Sequence, residues 1–505
     1  MRSAVLVLLV VTSTAYADAP SPAPITIDEV FDGQGGPSGT AQTAPDVGGA
    51  AGSEQVVDVV SGFVTIRDAA THQVLTSSTA DAFWSAAGVI GTPAAFAQRA
   101  AFNATNQRWY ISAEEATTSG TPNRIYLAVS ASGDARGPWK AVTLPVQANA
   151  IANTQLAVDA CGAYLTGDTG GSGVVMALPF ADLEWTNGNA PSAAHLNVLP
   201  AIAGVVPAID AWNQIGSDAR MFVARDNDGI TKIDLFRLHW ASSLCSSTLT
   251  ATLDAPASVS LGTTYARPTR AAVQPSPAPG LAAGSGAIAS AVSSNGTIVG
   301  IMTTEIGGQL AAAWFQLYAD PSNSAPPELQ QTAAIVDPSA DLIVPAIAFD
   351  SYNGIGVVLV RTSPTVPPSI YITAQVFGDF PGTMRPLMPV RIGTAPYSCT
   401  PTAGVSTFGR YSSISSTATG FWAVAQYGAS TVDCAFGTAW VNFGVQVPSL
   451  HDPGFGGDDP GHSDGQLHLS GGCGGCSSQG DAAPSIACFA AVALVLRIGR
   501  RRDRR

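Results

Sequence analysis

Few residues of this chain have the types and spacing that chemistry needs. Cys473 and Cys476, separated by two glycines, have the Cys-x-x-Cys spacing at which two thiolates reach one zinc ion or one another. No second pair stands near them, so a processing motif is the better reading. Asp226-Asn227-Asp228-Gly229 opens as a calcium loop does but has Arg237 at the twelfth position, where such a loop needs a bidentate glutamate. It reads as a hairpin turn. The histidines are scattered as His72, His195 and His239 in the body and His451, His462 and His468 near the end, and the last three, among aspartates, read as a solvated linker. Glu114, Glu115, Glu184, Glu305 and Glu328 fall in turn-like places, and no two of them form an identifiable acid/base pair. No nucleophile elbow, phosphate loop or dinucleotide fingerprint follows a strand and opens a helix, so no catalytic residue, cofactor or metal is expected.

The two ends of the chain place whatever lies between them. Arg2, the apolar core Ala4 to Val11 and Ala15-Tyr16-Ala17 before Asp18 are the three parts of a secretory signal peptide, with Ala17 the last residue removed. At the other end come Gly472 to Ser478 around Cys473 and Cys476, an apolar run Pro484 to Leu496, and Arg497, Arg500, Arg501, Arg502, Arg504 and Arg505. As a helix that run reaches about 20 Å, short of a hydrocarbon core of about 30 Å, so it anchors weakly, with the arginines held on the cytoplasmic side. The net charge is −13; removing Arg2 and the residues from Ser477 on, with six arginines against Asp481 and Asp503, takes it to −18. Such a surface repels phosphate backbones and argues against a nucleic-acid partner. Four cysteines remain in the body of an exported chain. Three pairings are open, and Cys399 with Cys434 and Cys161 with Cys245 close the shorter loops.

These last thirty-five residues resemble the myxobacterial C-terminal sorting tag, in which a cysteine motif precedes a short membrane segment and a basic end. The resemblance implies cleavage near Cys473 and Cys476 by an intramembrane protease and retention at the cell surface. The expected partners are therefore the export and C-terminal processing machinery, with membrane contact only through the tail.

From Gly48 to Phe443 the chain runs in short β-branched and aromatic stretches cut by Asn-Gly, Asp-Gly, Pro and Gly signals, with no sustained helical period. That is an all-β body. Internal repetition narrows it. Ile125-Tyr126-Leu127 precedes Gly133-Asp134-Ala135-Arg136-Gly137-Pro138-Trp139 by the same eight residues as Ile370-Tyr371-Ile372 precedes Gly378-Asp379-Phe380-Pro381-Gly382-Thr383-Met384. Upstream, Phe102-Asn103 and Phe349-Asp350 each end a strand at an Asx-type turn. Units starting near Gly48, Gln98, Asn153, Val205, Gly284, Leu342 and Gly409 predict a seven-bladed β-propeller, with six or eight blades or two β-sandwich domains as alternatives. The expected order is signal 1–17, leader 18–47 with an island at Ile25-Thr26-Ile27, propeller 48–445, flexible acidic spacer 446–470 and sorting segment 471–505.

Gly133 to Trp139 resembles the aspartate-box turn of sialidases and related propellers. The resemblance implies a structural pair: the Asp134 carboxylate takes backbone N–H groups and the Trp139 indole packs between strands. More widely, Phe31-Asp32-Gly33, Ala44 to Gly48, Arg108-Trp109-Tyr110, Ile125 to Trp139, Arg410-Tyr411-Ser412-Ser413 and Phe421-Trp422 look like segments of a family of exported bacterial propeller-like proteins largely without assigned activity. The chain departs from that pattern at Thr92-Pro93 and at Gly409-Arg410, where the family carries acidic residues. The expectation is a surface-displayed binding or structural propeller meeting extracellular polysaccharide or a surface protein; the alternative is a secreted glycoside hydrolase of sialidase-like type.

Overall fold

The computed structural model describes residues 24–445 apart from 37–44, 61, 92–94, 116–123, 145–150, 186–190, 210–217, 227–229, 243–248, 377–378, 400–403 and 418–419. Ala17, Cys245, Cys473 and Cys476, with the signal, spacer and sorting segments, lie outside the described residues.

Seven antiparallel sheets are arranged as a β-propeller, each beginning at the axis. Blade 1 runs Gly48–Ala51, Gln55–Val60, Phe63–Asp68 and Val74–Thr79. Blade 2 is Ala95–Asn103, Arg108–Glu115, Ile125–Ser130 and Trp139–Leu144. Blade 3 is Ala152–Asp159, Gly162–Asp168, Gly173–Pro179 and Asn197–Ala201. Blade 4 has Val206–Ala208, Arg220–Arg225 and Ile230–Trp240, and its long third strand pairs with both Ala251–Leu253 and Ala257–Tyr265. Blade 5 is Ile288–Ser294, Thr297–Ile306, Gln309–Tyr318 and Glu328–Ile335. Blade 6 is Asp341–Phe349, Ile355–Thr362, Ser369–Gln375 and Met388–Arg391. Blade 7 is Ser413–Ser416, Phe421–Tyr427 and Gly437–Val445, completed by Ile25–Asp32 from the start of the chain.

That last pairing corrects part of the expected leader. The island at Ile25 extends to Asp32 and belongs to blade 7, covering the exposed edge of Gly437–Val445, the amphipathic pattern with Ile25 and Phe31 buried being that of an outer strand. The seven expected starts fall within a few residues of the seven inner strands.

The repeated motifs occupy matching places. Phe102 and Phe349 end the inner strands of blades 2 and 6, and Asn103 and Asp350 make the turns that follow. Asn103 Oδ1 accepts from the N–H groups of Thr105 and Asn106, and Asp350 Oδ1 from those of Tyr352 and Gly354. A third copy, not read from the sequence, is Asp159 in blade 3, whose Oδ1 accepts from the N–H groups of Cys161 and Gly162. Its other oxygen takes Arg220 Nε of blade 4 at 2.6 Å in a pair with side chains 1% and 0% exposed.

Between blades 1 and 2 the helix Ala80–Ala86, capped by Thr79 Oγ1 on the Ala82 N–H, inserts Phe83 and Trp84. Trp139 meets Phe83 edge-on, with ring centroids 5.2 Å apart. Met384 packs correspondingly against the apolar cluster shared by blades 5 and 6.

Two long connections leave the blade pattern. Residues 266–287, between blades 4 and 5, and 392–412, between blades 6 and 7, join through a parallel pair, Gly280–Leu281 with Val405–Ser406. Gln274 clamps the Tyr397 backbone from both sides, at 2.7 and 2.9 Å. Cys399 is disulfide-bonded to Cys434 with Cα atoms 4.2 Å apart, as the spacing suggested. Cys161 is likewise in a disulfide. Ala272, Leu281, Tyr397 and Phe408 form an apolar cluster with Val60, Ile343, Val360 and Phe436, so the connections knit blades 1, 6 and 7 at the end where inner strands begin.

Candidate functional site

The seven inner strands surround a channel of about 600 Å³. Its wall mixes small residues, among them Gly49 to Ala51, Ala100, Ala101, Ala291 and the serines at 412, 413, 415 and 416, with larger apolar ones such as Phe102, Ile347, Phe349 and Ile414. Inner strands of neighbouring blades are linked here by serine hydroxyls. Ser412 Oγ donates to Val344 O at 2.8 Å, Ser413 Oγ accepts from the Gly49 N–H at 3.2 Å, and Ser290 and Ser416 reach the backbone of blade 6. Ser412 and Ser413 of the Arg410-Tyr411-Ser412-Ser413 segment are thus structural seals.

At the end where inner strands begin, the register slips in blades 2, 3, 5 and 6. Three of these bulges put a non-glycine residue at positive φ: Ala97 at 50°, Asn153 at 58° and Val344 at 52°. Each stands six positions before the Asx residue of its blade, Asn103, Asp159 and Asp350, so the strain belongs to the repeat. A β-branched residue such as Val344 rarely adopts this conformation, and bulges of this kind re-aim the side chains that follow.

Arg99, two positions past the Ala97 bulge, and Asn153 enter a polar cluster with Asp46, Arg410 and Tyr411. Arg410 Nη2 lies 2.8 Å from Asp46 Oδ2, the Arg410 N–H donates to Asp46 Oδ1 at 3.0 Å, and Nη1 donates to Asn153 Oδ1 at 2.9 Å. Burial works against the charged guanidinium of Arg410, but Asp46 and Tyr411 outweigh it and hold its pKa above the ordinary value. Gly409 makes this approach feasible: its φ is 80°, and a Cβ there would stand 2.8 Å from Pro45 O. Arg99 is stacked on the Tyr411 ring, 3.1 Å from its centroid, and Arg99 Nη1 donates to Val47 O at 3.3 Å. Burial lowers the Arg99 pKa and pushes the Tyr411 phenol up to about 12. Glu114 is fully buried, with Oε1 accepting from Thr154 N–H at 2.7 Å and Oγ1 at 3.0 Å; burial raises its pKa. A second cavity, about 170 Å³, adjoins the channel here, bordered by Asn153, Asp168, Arg410, Tyr411, residues 282–287 of the connection between blades 4 and 5, and the start of the blade 5 inner strand.

The residues singled out from sequence divide sharply. Asp134 belongs to the third-to-fourth strand turn of blade 2, where it accepts from the Arg136 N–H at 3.0 Å and from Gln55 Nε2 of blade 1 at 2.8 Å. Trp139 Nε1 donates to Ala135 O at 2.7 Å, so this turn holds blades together. Asp379 of blade 6 takes the Val376 N–H at 2.9 Å and pairs with Arg385, both within its own blade. None of these reaches the cluster. Asp226 lies between antiparallel strands, as a hairpin requires. His72, His195 and His239 pair with Glu29, Asp182 and Asp254 respectively. Among the described residues no three metal-ligating side chains are gathered at one point. The segments Ala44 to Gly48 and Arg410 to Ser413 do converge, through Asp46 and Arg410. Glu114 and Arg99 were not singled out as partners, and neither Ala97 nor Val344 carries any sign of its backbone conformation; only the asparagine at 153 could have suggested it.

Fold and site together define a seven-bladed β-propeller with two joined connections at one end and a central channel leading toward a charged cluster. No family model and no curated protein matches the chain. Among solved structures it is similar to Kluyveromyces lactis Hsv2, at 10% identity over 79% of this chain and 97% of that one, with a TM-score of 0.36. It is similar to the WD40 domain of SCAP from fission yeast at 8% identity, over 80% of this chain and 82% of that one, with a TM-score of 0.33. The exo-β-1,3-galactanase of Phanerochaete chrysosporium, a complex with galactose, is 11% identical over 82% of this chain and 98% of that one, with a TM-score of 0.29. These likenesses assign neither a ligand nor a reaction to this chain.

Proposed function

We propose that this protein is a binding propeller displayed at the outer cell surface, taking a ligand in its central channel. The channel carries the reading: about 600 Å³ of space walled by apolar, small and hydroxyl side chains, with polar groups converging at one end, has the size and make-up of a small-molecule site. Export and retention are supported by the signal-like start ending at Ala17 and by the tail with Cys473, Cys476 and its terminal arginines. Terminal mass spectrometry of surface-extracted protein should find Asp18 first and the residues after the cysteine motif gone. An intact Arg505 on the mature form would overturn retention by processing.

One observation favours glycoside hydrolysis as a second reading. Glu114, a buried carboxyl with a raised pKa, has the character of a general acid and shares its cluster with Asp46. Purified protein incubated with arrayed glycans and cell-envelope fractions separates the two. Retention without turnover is the expected result. Product release that is lost in Glu114→Gln would replace binding by hydrolysis.

A further inference from the structure

Of the described side chains lining the channel only Arg99 and Asp350 are ionisable to full charge at neutral pH. Asp350 is engaged by the N–H groups of its own turn. Arg99 is different. Its residue is 6% exposed, yet Nε and Nη2, the two donors that meet a carboxylate side-on, have no hydrogen-bond partner among the described residues. The hydroxyl of Tyr411, stacked beneath it, has none either. The neighbouring guanidinium shows what satisfaction looks like here: Arg410 holds both oxygens of Asp46 and reaches Asn153. Arg410, a third exposed, thus takes up Asp46, while Glu114 directs Oε1 to Thr154 and leaves Oε2 without a hydrogen-bond partner among the described residues. A buried guanidinium with its donor fork unmet is completed best by an anion from outside the chain.

We infer that Arg99, with the Tyr411 hydroxyl, is a seat for one carboxylate of a ligand lying in the channel, and that this ligand is an acidic saccharide of the uronate kind. The inference rests on the binding reading above and names its ligand class. The body of the ligand must carry no second acid group and must offer both hydroxyls and an apolar face, because the described wall sets Ser, Asn and Gln155 beside Phe102, Ile347 and Phe349 and supplies no further cation. A carboxylate at Arg99 displaces the Tyr411 ring from the guanidinium and replaces a stacking contact by charge-assisted hydrogen bonds. The same chemistry is presented by a free uronic acid and by the terminal residue of an acidic polysaccharide.

The test is equilibrium binding to the purified full chain by calorimetry, with glucuronate, glucose, an oligoglucuronate and the matched neutral oligosaccharide as probes. Four proteins are compared: wild type, Arg99→Gln, Arg99→Lys and Ala291→Phe, the last narrowing the channel wall away from the cluster. Wild type should prefer the acid to its neutral counterpart by about tenfold or more, and both Arg99 variants should lose that preference, since lysine keeps the charge but not the fork. Ala291→Phe should weaken acid and neutral probes alike. Tighter binding of the oligomer than of the monomer assigns the seat to a polysaccharide end; equal binding assigns it to the free acid. Acid and neutral probes bound equally by wild type would overturn the carboxylate seat while leaving channel binding standing. So would a preference that survives in a folded Arg99→Lys protein. Failure of every probe, together with no retention of envelope glycans, would overturn both readings.

Discussion

Asp58 offers a direct test of how this propeller handles a buried carboxyl. It lies in Gln55–Val60 of blade 1, fully buried, with Oδ2 accepting from the Gln34 N–H at 2.7 Å and Oδ1 without a hydrogen-bond partner among the described residues. Burial raises its pKa from 3.8 to about 6, against the opposing pull of the Gln34 N–H and of Arg67. A carboxyl whose folded pKa stands above its unfolded value favours folding while it is protonated in both states, below about pH 4. That contribution is lost as pH rises through the folded value near 6. Two units correspond to about 3 kcal/mol, so the wild type should forfeit about that much between pH 4 and pH 7.5 through this one group. Asp58→Asn keeps an acceptor for Gln34 and removes the titration. Other carboxylates, Glu115 among them, titrate with the opposite sign, so the quantity to follow is the difference between variant and wild type in urea unfolding at each pH. It should be near zero at pH 4 and rise to about 3 kcal/mol in favour of the variant at pH 7.5. A difference that does not change with pH, or one that turns against the variant as pH rises, would refute the argument.

Arg220→Ala should destabilise by about 3–5 kcal/mol, because it leaves the buried Asp159 carboxylate without its guanidinium between blades 3 and 4; a shift of less than about 1 kcal/mol in the unfolding midpoint energy would mean the pair is not closed to water. Gly409→Ala combines a positive φ with a close approach to Pro45 O, and should cost about 1–3 kcal/mol while loosening Arg410, read as a lower melting temperature with the blade content unchanged by circular dichroism.

The ring was legible from the sequence because it repeats. Phe102-Asn103 and Phe349-Asp350 are local signals: an apolar strand end and an Asx side chain that folds back on its own backbone can be read without knowing what lies across the axis. The turn containing Asp134 and Trp139 was legible for the same reason. The cluster was not. Asp46 and Arg410 are 364 positions apart, and Arg99 meets Tyr411 only because the ring closes. Nothing in the sequence near Ala97 or Val344 foretells positive φ, since alanine and valine disfavour it; tertiary packing imposes that geometry. The strand at Ile25 was seen as an island but not assigned a place, because its partner begins at Gly437.

That pairing sets a schedule for the chain. Ile25 lies opposite Val445, so the first strand to be synthesised waits for the last, and contacts of such sequence separation form late. Until Gly437–Val445 has emerged, Ile25–Asp32 and the growing sheet of blade 7 each present a bare edge to other chains and to proteases. A product cut short before Val445 never loses those edges. Closure of the ring therefore distinguishes a complete body from a truncated one before any residue of the tail is read.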